Sequence, residues 1–91
     1  YGVTVIPHAW GSGIALSVAL AALCSMPAEP HTAHRIPFQN EPMIEYDRNF
    51  NPLRDELLVK NIGIEDGRVK APEGPGLGVD INVDVLRRYC N

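Results

Sequence analysis

Two ionisable residues of this chain sit among apolar neighbours, each near the end of a strand-like run: His8 in "VTVIPHAWGSG" and Glu45 in "EPMIEYD". An imidazole titrates at roughly pH 6.5, so it can take and return a proton near neutrality. A charged residue close to the C-terminal end of a strand is where α/β folds place their chemistry. A single histidine at such a junction reads as a loop residue, a metal ligand or a base, and the surrounding elements have to choose. His31 and His34 form an H-x-x-H pair, but they lie in a proline-bounded loop without a third ligand, so no metal site is expected there. Cys24 and Cys90 lack metal-type spacing and read as free thiols of a reducing, cytoplasmic protein.

The elements that must position His8 and Glu45 follow from the hydrophobic pattern. Val3, Val5 and Pro7 alternate with Thr4, Ile6 and His8 without a charge, which predicts a strand buried on both faces, as in parallel sheets. Gly11-Ser12-Gly13 is a turn, with Ser12 the expected N-cap of a helix reaching Met26. Only Ser17, Ser25 and the weakly polar Cys24 interrupt its apolar character. A helix apolar all round is expected to be buried all round, on a sheet with one side and on another helix or subunit with the other. Pro27 and Pro30 end it. After the connection from Ala28 to Pro42, Met43 to Asp47 form a second short strand, with Glu45 opposite Ile44 and Tyr46.

Beyond Asp47 the segment "RNFNPLRDELLVKN" predicts irregular structure with at most a short helical turn. Asp66-Gly67 marks a hairpin between Ile62 to Glu65 and Arg68 to Lys70. The "EGPGLGV" passage is glycine-rich and extended, and Asn82 is placed to cap a final helix from Val83 to Tyr89.

Strand, histidine, helix, strand, glutamate is the order of two consecutive βα units of an α/β barrel, since a parallel crossover needs the helix between its strands. A fragment of another α/β fold is the rival. The chain has 91 residues, opens without a methionine and holds a helix too apolar to face water, so it reads as a piece of something larger. Its net charge of −3 comes from eight basic and eleven acidic residues, with no clustered basic face, which argues against nucleic acid and anionic membranes as partners. The apolar run from Gly13 to Met26 is shorter than the roughly 18 residues of a membrane span and lacks the basic flank of a secretory signal.

"VIPHAWGSGI", the alanine-rich helix, "EPMIEYD" and the tail "GIEDGRVKAPEGPGLGVDIN" resemble the C-terminal part of the mandelate racemase and muconate lactonizing enzyme family of the enolase superfamily. The resemblance spans essentially the whole chain. It implies a (β/α)7β TIM-like barrel in which Val3 to Pro7 is the seventh strand, Ser12 to Met26 the seventh helix and Met43 to Tyr46 the eighth strand. Residues 1–47 would then be the last two barrel strands with their helix, and residues 48–91 a C-terminal tail returning toward a capping domain.

That family abstracts the proton α to a carboxylate and holds the resulting enediolate with Mg²⁺. The resemblance makes His8 the base and Glu45 a protonated donor to the substrate carboxylate, since an ionised glutamate would repel that anion. Trp10 is expected to line the pocket beside His8. The Mg²⁺ ligands would lie outside this chain. The implied function is a sugar-acid dehydratase, with a racemase or epimerase of a 2-hydroxy acid as the alternative; lactonizing branches use lysine bases and fit His8 less well. A barrel that only binds a phosphorylated ligand at the Gly11-Ser12-Gly13 amides is a third reading, but it leaves Glu45 unexplained. A non-catalytic fragment is a fourth. The apolar helix favours a homo-oligomer.

Overall fold

The computed structural model describes residues 5–27 and 41–90. Val3, Thr4, His31, His34, Pro30 and the connection up to Asn40 lie outside the described residues. In chain order the elements are α1 (Gly13–Ser25), α2 (Pro52–Asp55), β1 (Ile64–Glu65), β2 (Arg68–Val69) and α3 (Val83–Tyr89).

Helix α1 begins where the sequence places it. Ser12 is extended and its hydroxyl accepts from the Ala15 amide at 3.3 Å, which satisfies one of the helix's free donors. Met26 is the C-cap and Pro27 follows. Burial departs from expectation. Gly13, Leu16, Ser17 and Leu20 are buried, a single stripe at helical spacing, while Ile14, Val18 and Met26 are exposed. The buried stripe meets Leu58 and Ile62, and no described element covers the opposite face. Ser17 is tolerated inside because its hydroxyl donates to the Gly13 carbonyl at 2.7 Å.

The two expected strands are reduced to one parallel bridge, between His8 and Glu45, with the Glu45 amide donating to the Pro7 carbonyl at 3.0 Å. Val5 and Ile6, expected to be buried on both faces, are 50% and 46% exposed. Strands of a parallel sheet need ladder partners on both edges and cover on both faces, and the described residues supply neither to this pair.

The tail folds back on itself. Leu58 and Ile81 form an antiparallel bridge, flanked by Val59 N–H to Asp80 O at 2.9 Å and Asn82 N–H to Leu57 O at 2.8 Å. Between these points lies the hairpin, with Ile64 opposite Val69 and Glu65 opposite Arg68. It is shorter than predicted but turns at Asp66 (φ 48°) and Gly67 (φ 72°), the two positive angles of a type I′ turn. Gly78 (φ 68°) is the glycine that space demands, since a Cβ there would lie 2.9 Å from the Glu73 carbonyl carbon. Asn82 caps α3 through bonds from the amides of Asp84 and Val85, as expected. The core of Leu16, Leu20, Leu58 and Ile62 joins α1 to this tail, and Ala9, Ile44 and Tyr46 pack against it.

Candidate active site

The alternation around the bridge sets which side chains face outward. Ala9 packs on the core while His8 and Trp10 on either side are exposed; Ile44 and Tyr46 pack on it while Glu45 between them is exposed. Paired residues of adjacent strands carry their side chains on one side, so the bridge sets imidazole beside carboxyl. His8 Nδ1 and Glu45 Oε2 are 2.5 Å apart, and each side chain is 64% exposed. Sequence reasoning put both residues at the same end of neighbouring strands but did not anticipate this direct bond.

The bond constrains the chemistry of both groups. With Nδ1–H donating to Oε2, the lone pair of neutral His8 is at Nε2, and that nitrogen is the one left to accept a proton. Glu45 keeps its second oxygen for another partner. Trp10 is 73% exposed and lies outside the core. A hollow of about 360 Å³ opens elsewhere, between α1 and residues 70–77, lined in part by Ser17, Ala21 and Cys24 and by none of His8, Trp10 and Glu45.

Sequence reading missed Arg54, a charged residue only 7% exposed. Its guanidinium spends all five N–H donors inside the chain: Nε to Asp55 Oδ1 (2.7 Å), Nη2 to Asp55 Oδ2 (3.0 Å) and Asn49 O (2.6 Å), and Nη1 to Asp47 O (2.5 Å) and Asp47 Oδ2 (3.3 Å). Its carbon lies 5.5 Å from the centroid of the Tyr46 ring, a cation–π distance. The Arg54 guanidinium, by hydrogen bonding, holds the Asp55 carboxyl below the usual carboxylate range against the opposing effect of burial. Asp55 in turn raises Arg54 above the usual arginine value. Asn51 completes the cluster: its Oδ1 caps α2 at Leu53 and Arg54, and its Nδ2 donates to the Gly11 carbonyl at 2.9 Å. The signal in the sequence was the Asn51-Pro52 pair, a cap followed by a first-turn proline, which fixes where Arg54 must sit on its short helix.

A family model described as enolase C-terminal domain-like matches residues 1–85. The chain belongs to that family. Within it, the chain is the C-terminal part of the mandelate racemase and muconate lactonizing enzyme group of the enolase superfamily. It is 37% identical over 89 residues to D-galactarolactone cycloisomerase of Agrobacterium fabrum, covering 98% of this chain and 22% of that protein. It is 33% identical over 88 residues to arabinonate dehydratase of Saccharolobus solfataricus, covering 97% and 20%. Against muconate cycloisomerase 1 of Rhodococcus opacus the identity is 44% over 52 residues, 54% of this chain and 14% of that one. The chain thus spans about a fifth of the length of the relatives that match nearly all of it.

Among the described residues no group of three His, Cys, Asp or Glu side chains is placed to hold a metal ion. The Mg²⁺ implied by the family resemblance therefore has no fitting donor set among the described residues. No described helix is long and apolar enough to cross a membrane.

Proposed function

We propose that this chain is the C-terminal barrel segment of a Mg²⁺-dependent enzyme that removes the proton α to a carboxylate, and that the enzyme is a sugar-acid dehydratase. The observation carrying this reading is the His8–Glu45 pair, an imidazole and a carboxyl bonded at 2.5 Å across adjacent strands. In this reading His8 Nε2 takes the α-proton and returns a proton to the departing β-hydroxyl, so that water leaves and a 2-keto acid forms after the enol ketonises. Glu45 is protonated on the oxygen facing the substrate carboxylate, and its hydrogen bond strengthens as charge builds on the enediolate. Its other oxygen, as a carbonyl, accepts from His8 Nδ1–H and leaves the imidazole lone pair on Nε2. Trp10, exposed two residues after His8, lines the substrate pocket that the rest of the intact protein completes. Residues 48–91 form the tail toward a capping domain, and the exposed face of α1 is covered in the assembled homo-oligomer.

The 37% identity to a lactone cycloisomerase favours a second reading, cycloisomerisation of a sugar-acid lactone, which starts from the same α-proton. One experiment separates these. The intact protein carrying this chain is incubated with Mg²⁺ in D₂O with arabinonate, galactarate and D-galactarolactone, with His8→Asn in parallel, and products are followed by NMR. A 2-keto acid formed from arabinonate or galactarate and lost in His8→Asn supports the dehydratase. Keto acid formed from the lactone alone, by expulsion of the ring oxygen in place of water, replaces it by the cycloisomerase, and α-deuterium with every hydroxyl retained replaces it by a racemase. Full activity in His8→Asn overturns the site.

A further inference from the structure

The segments that carry His8 and Glu45 meet at an isolated parallel bridge, in which the Glu45 amide donates to the Pro7 carbonyl. Beyond that bond, the loops leaving these residues are tied by side chains of another element. Asn51 Nδ2 holds the carbonyl of Gly11, three residues after His8. Arg54 holds the carbonyls of Asp47 and Asn49, two and four residues after Glu45, and lies over the ring of Tyr46, its immediate neighbour. Asn51 and Arg54 are themselves one unit. Asp55 accepts from the Arg54 guanidinium and from the Asn51 backbone amide, and Asn51 caps the turn that carries Arg54.

We infer that Asn51 and Arg54 form a clamp that sets the distance between His8 and Glu45, acting as positioning residues for the proton transfer. The inference rests on the function proposed above. The clamp reaches each strand end from outside the pair, through main-chain carbonyls, so it fixes backbone positions without entering the pocket. The imidazole and carboxyl are both largely exposed and have no described packing of their own to hold them. Arg54 has no donor left for a substrate, because its five N–H groups are already used inside the chain. That excludes it from direct anion binding and leaves orientation as its role. A fork with two arms on Asp55 and two on main-chain carbonyls cannot be reproduced by a lysine, which offers a point charge.

The test uses the intact protein labelled with ¹⁵N-histidine, with the His8 ring signals assigned by their loss in His8→Asn. Asn51→Asp keeps the helix cap but replaces the donor to Gly11 by an oxygen; Asn51→Ser keeps a cap and is too short to reach. Arg54→Lys keeps the charge and loses the fork. In each folded variant the His8 Nδ1 signal is expected to move toward its value in Glu45→Ala, where the acceptor is gone, with the other histidines unchanged. With the substrate identified by the assay above, kcat is expected to fall about tenfold or more, with KM within about threefold, as for a misplaced catalytic group. A wild-type His8 signal together with wild-type kcat in Asn51→Asp and Asn51→Ser overturns the clamp, even if Arg54→Lys does not fold. Lost stability with unchanged His8 signals makes the cluster purely structural and also overturns it. Full activity in His8→Asn would instead remove the proposed function, so the two failures are distinct.

Discussion

Gly13 and Leu58 are in contact that leaves no room for a methyl group: a Cβ on Gly13 would lie 2.8 Å from Leu58 Cγ and 3.1 Å from the Arg54 carbonyl oxygen. Leu58 is 4% exposed and belongs to the core, so it cannot swing aside freely. Alanine gains up to about 1 kcal/mol over glycine inside a helix, but overpacking a core costs about 1–3 kcal/mol. Gly13 is the first helical residue, where the propensity gain is smallest. Gly13→Ala is therefore expected to lower stability by about 1 kcal/mol, read as a shifted urea midpoint with an unchanged slope.

Tyr46 presents its hydroxyl to the Ile62 carbonyl at 2.8 Å, linking the residue after Glu45 to the tail. Tyr46→Phe keeps the ring and loses that bond, at a cost of about 1 kcal/mol. A double-mutant cycle with Arg54→Met is expected to show coupling, because the guanidinium lies over the same ring.

Arg54→Met alone is expected to cost about 3 kcal/mol, since it leaves Asp55, Asp47 and two carbonyls facing a thioether. The chemical midpoint of the intact protein measures it.

The Asp55 carboxyl lies below its ordinary range in the folded state because Arg54 hydrogen-bonds it. Its contribution is fully present above the unfolded value of about 4 and is lost as pH falls through the lower folded value. Arg54 is raised, so its share persists through neutral pH and is lost only in strong alkali. Asp55→Asn is expected to flatten the acid limb of a stability-against-pH curve below about pH 4 without changing the limb near pH 8. Unfolding midpoints across that range check it.

Glu45→Gln is expected to lower kcat roughly 100-fold while KM changes much less, because the amide N–H that replaces the carboxyl O–H is a weaker donor to the charged enediolate but still serves the bound substrate. Equal losses in binding and turnover would assign Glu45 to binding alone.

Features held by neighbours in sequence were legible beforehand. Ser12 and Asn82 cap helices through amides two or three residues away, and Asp66-Gly67 turns a hairpin with angles that those residue types tolerate. That the segments carrying His8 and Glu45 run parallel and side by side was legible from periodicity and family resemblance. Their bond was not, because strand register across a separation of 37 residues depends on how the crossover helix seats, which no local pattern encodes. Arg54 was hidden for a similar reason. A guanidinium in "NPLRDELL" reads as a surface charge until the chain path brings Asp47 and Asn49 around it. The burial of α1 was over-read, because its composition is apolar on every side while the tail contacts only one stripe.

The bridge between Leu58 and Ile81 makes residues 60–79 an excursion whose two ends are already stapled together. The entropy of closing such an excursion grows only logarithmically with its length, so doubling it costs about 0.6 kcal/mol. The exposed tip at Asp66-Gly67 is thus a place where sequence can be inserted cheaply, for an epitope or an affinity handle, while the stapled ends hold the scaffold in register.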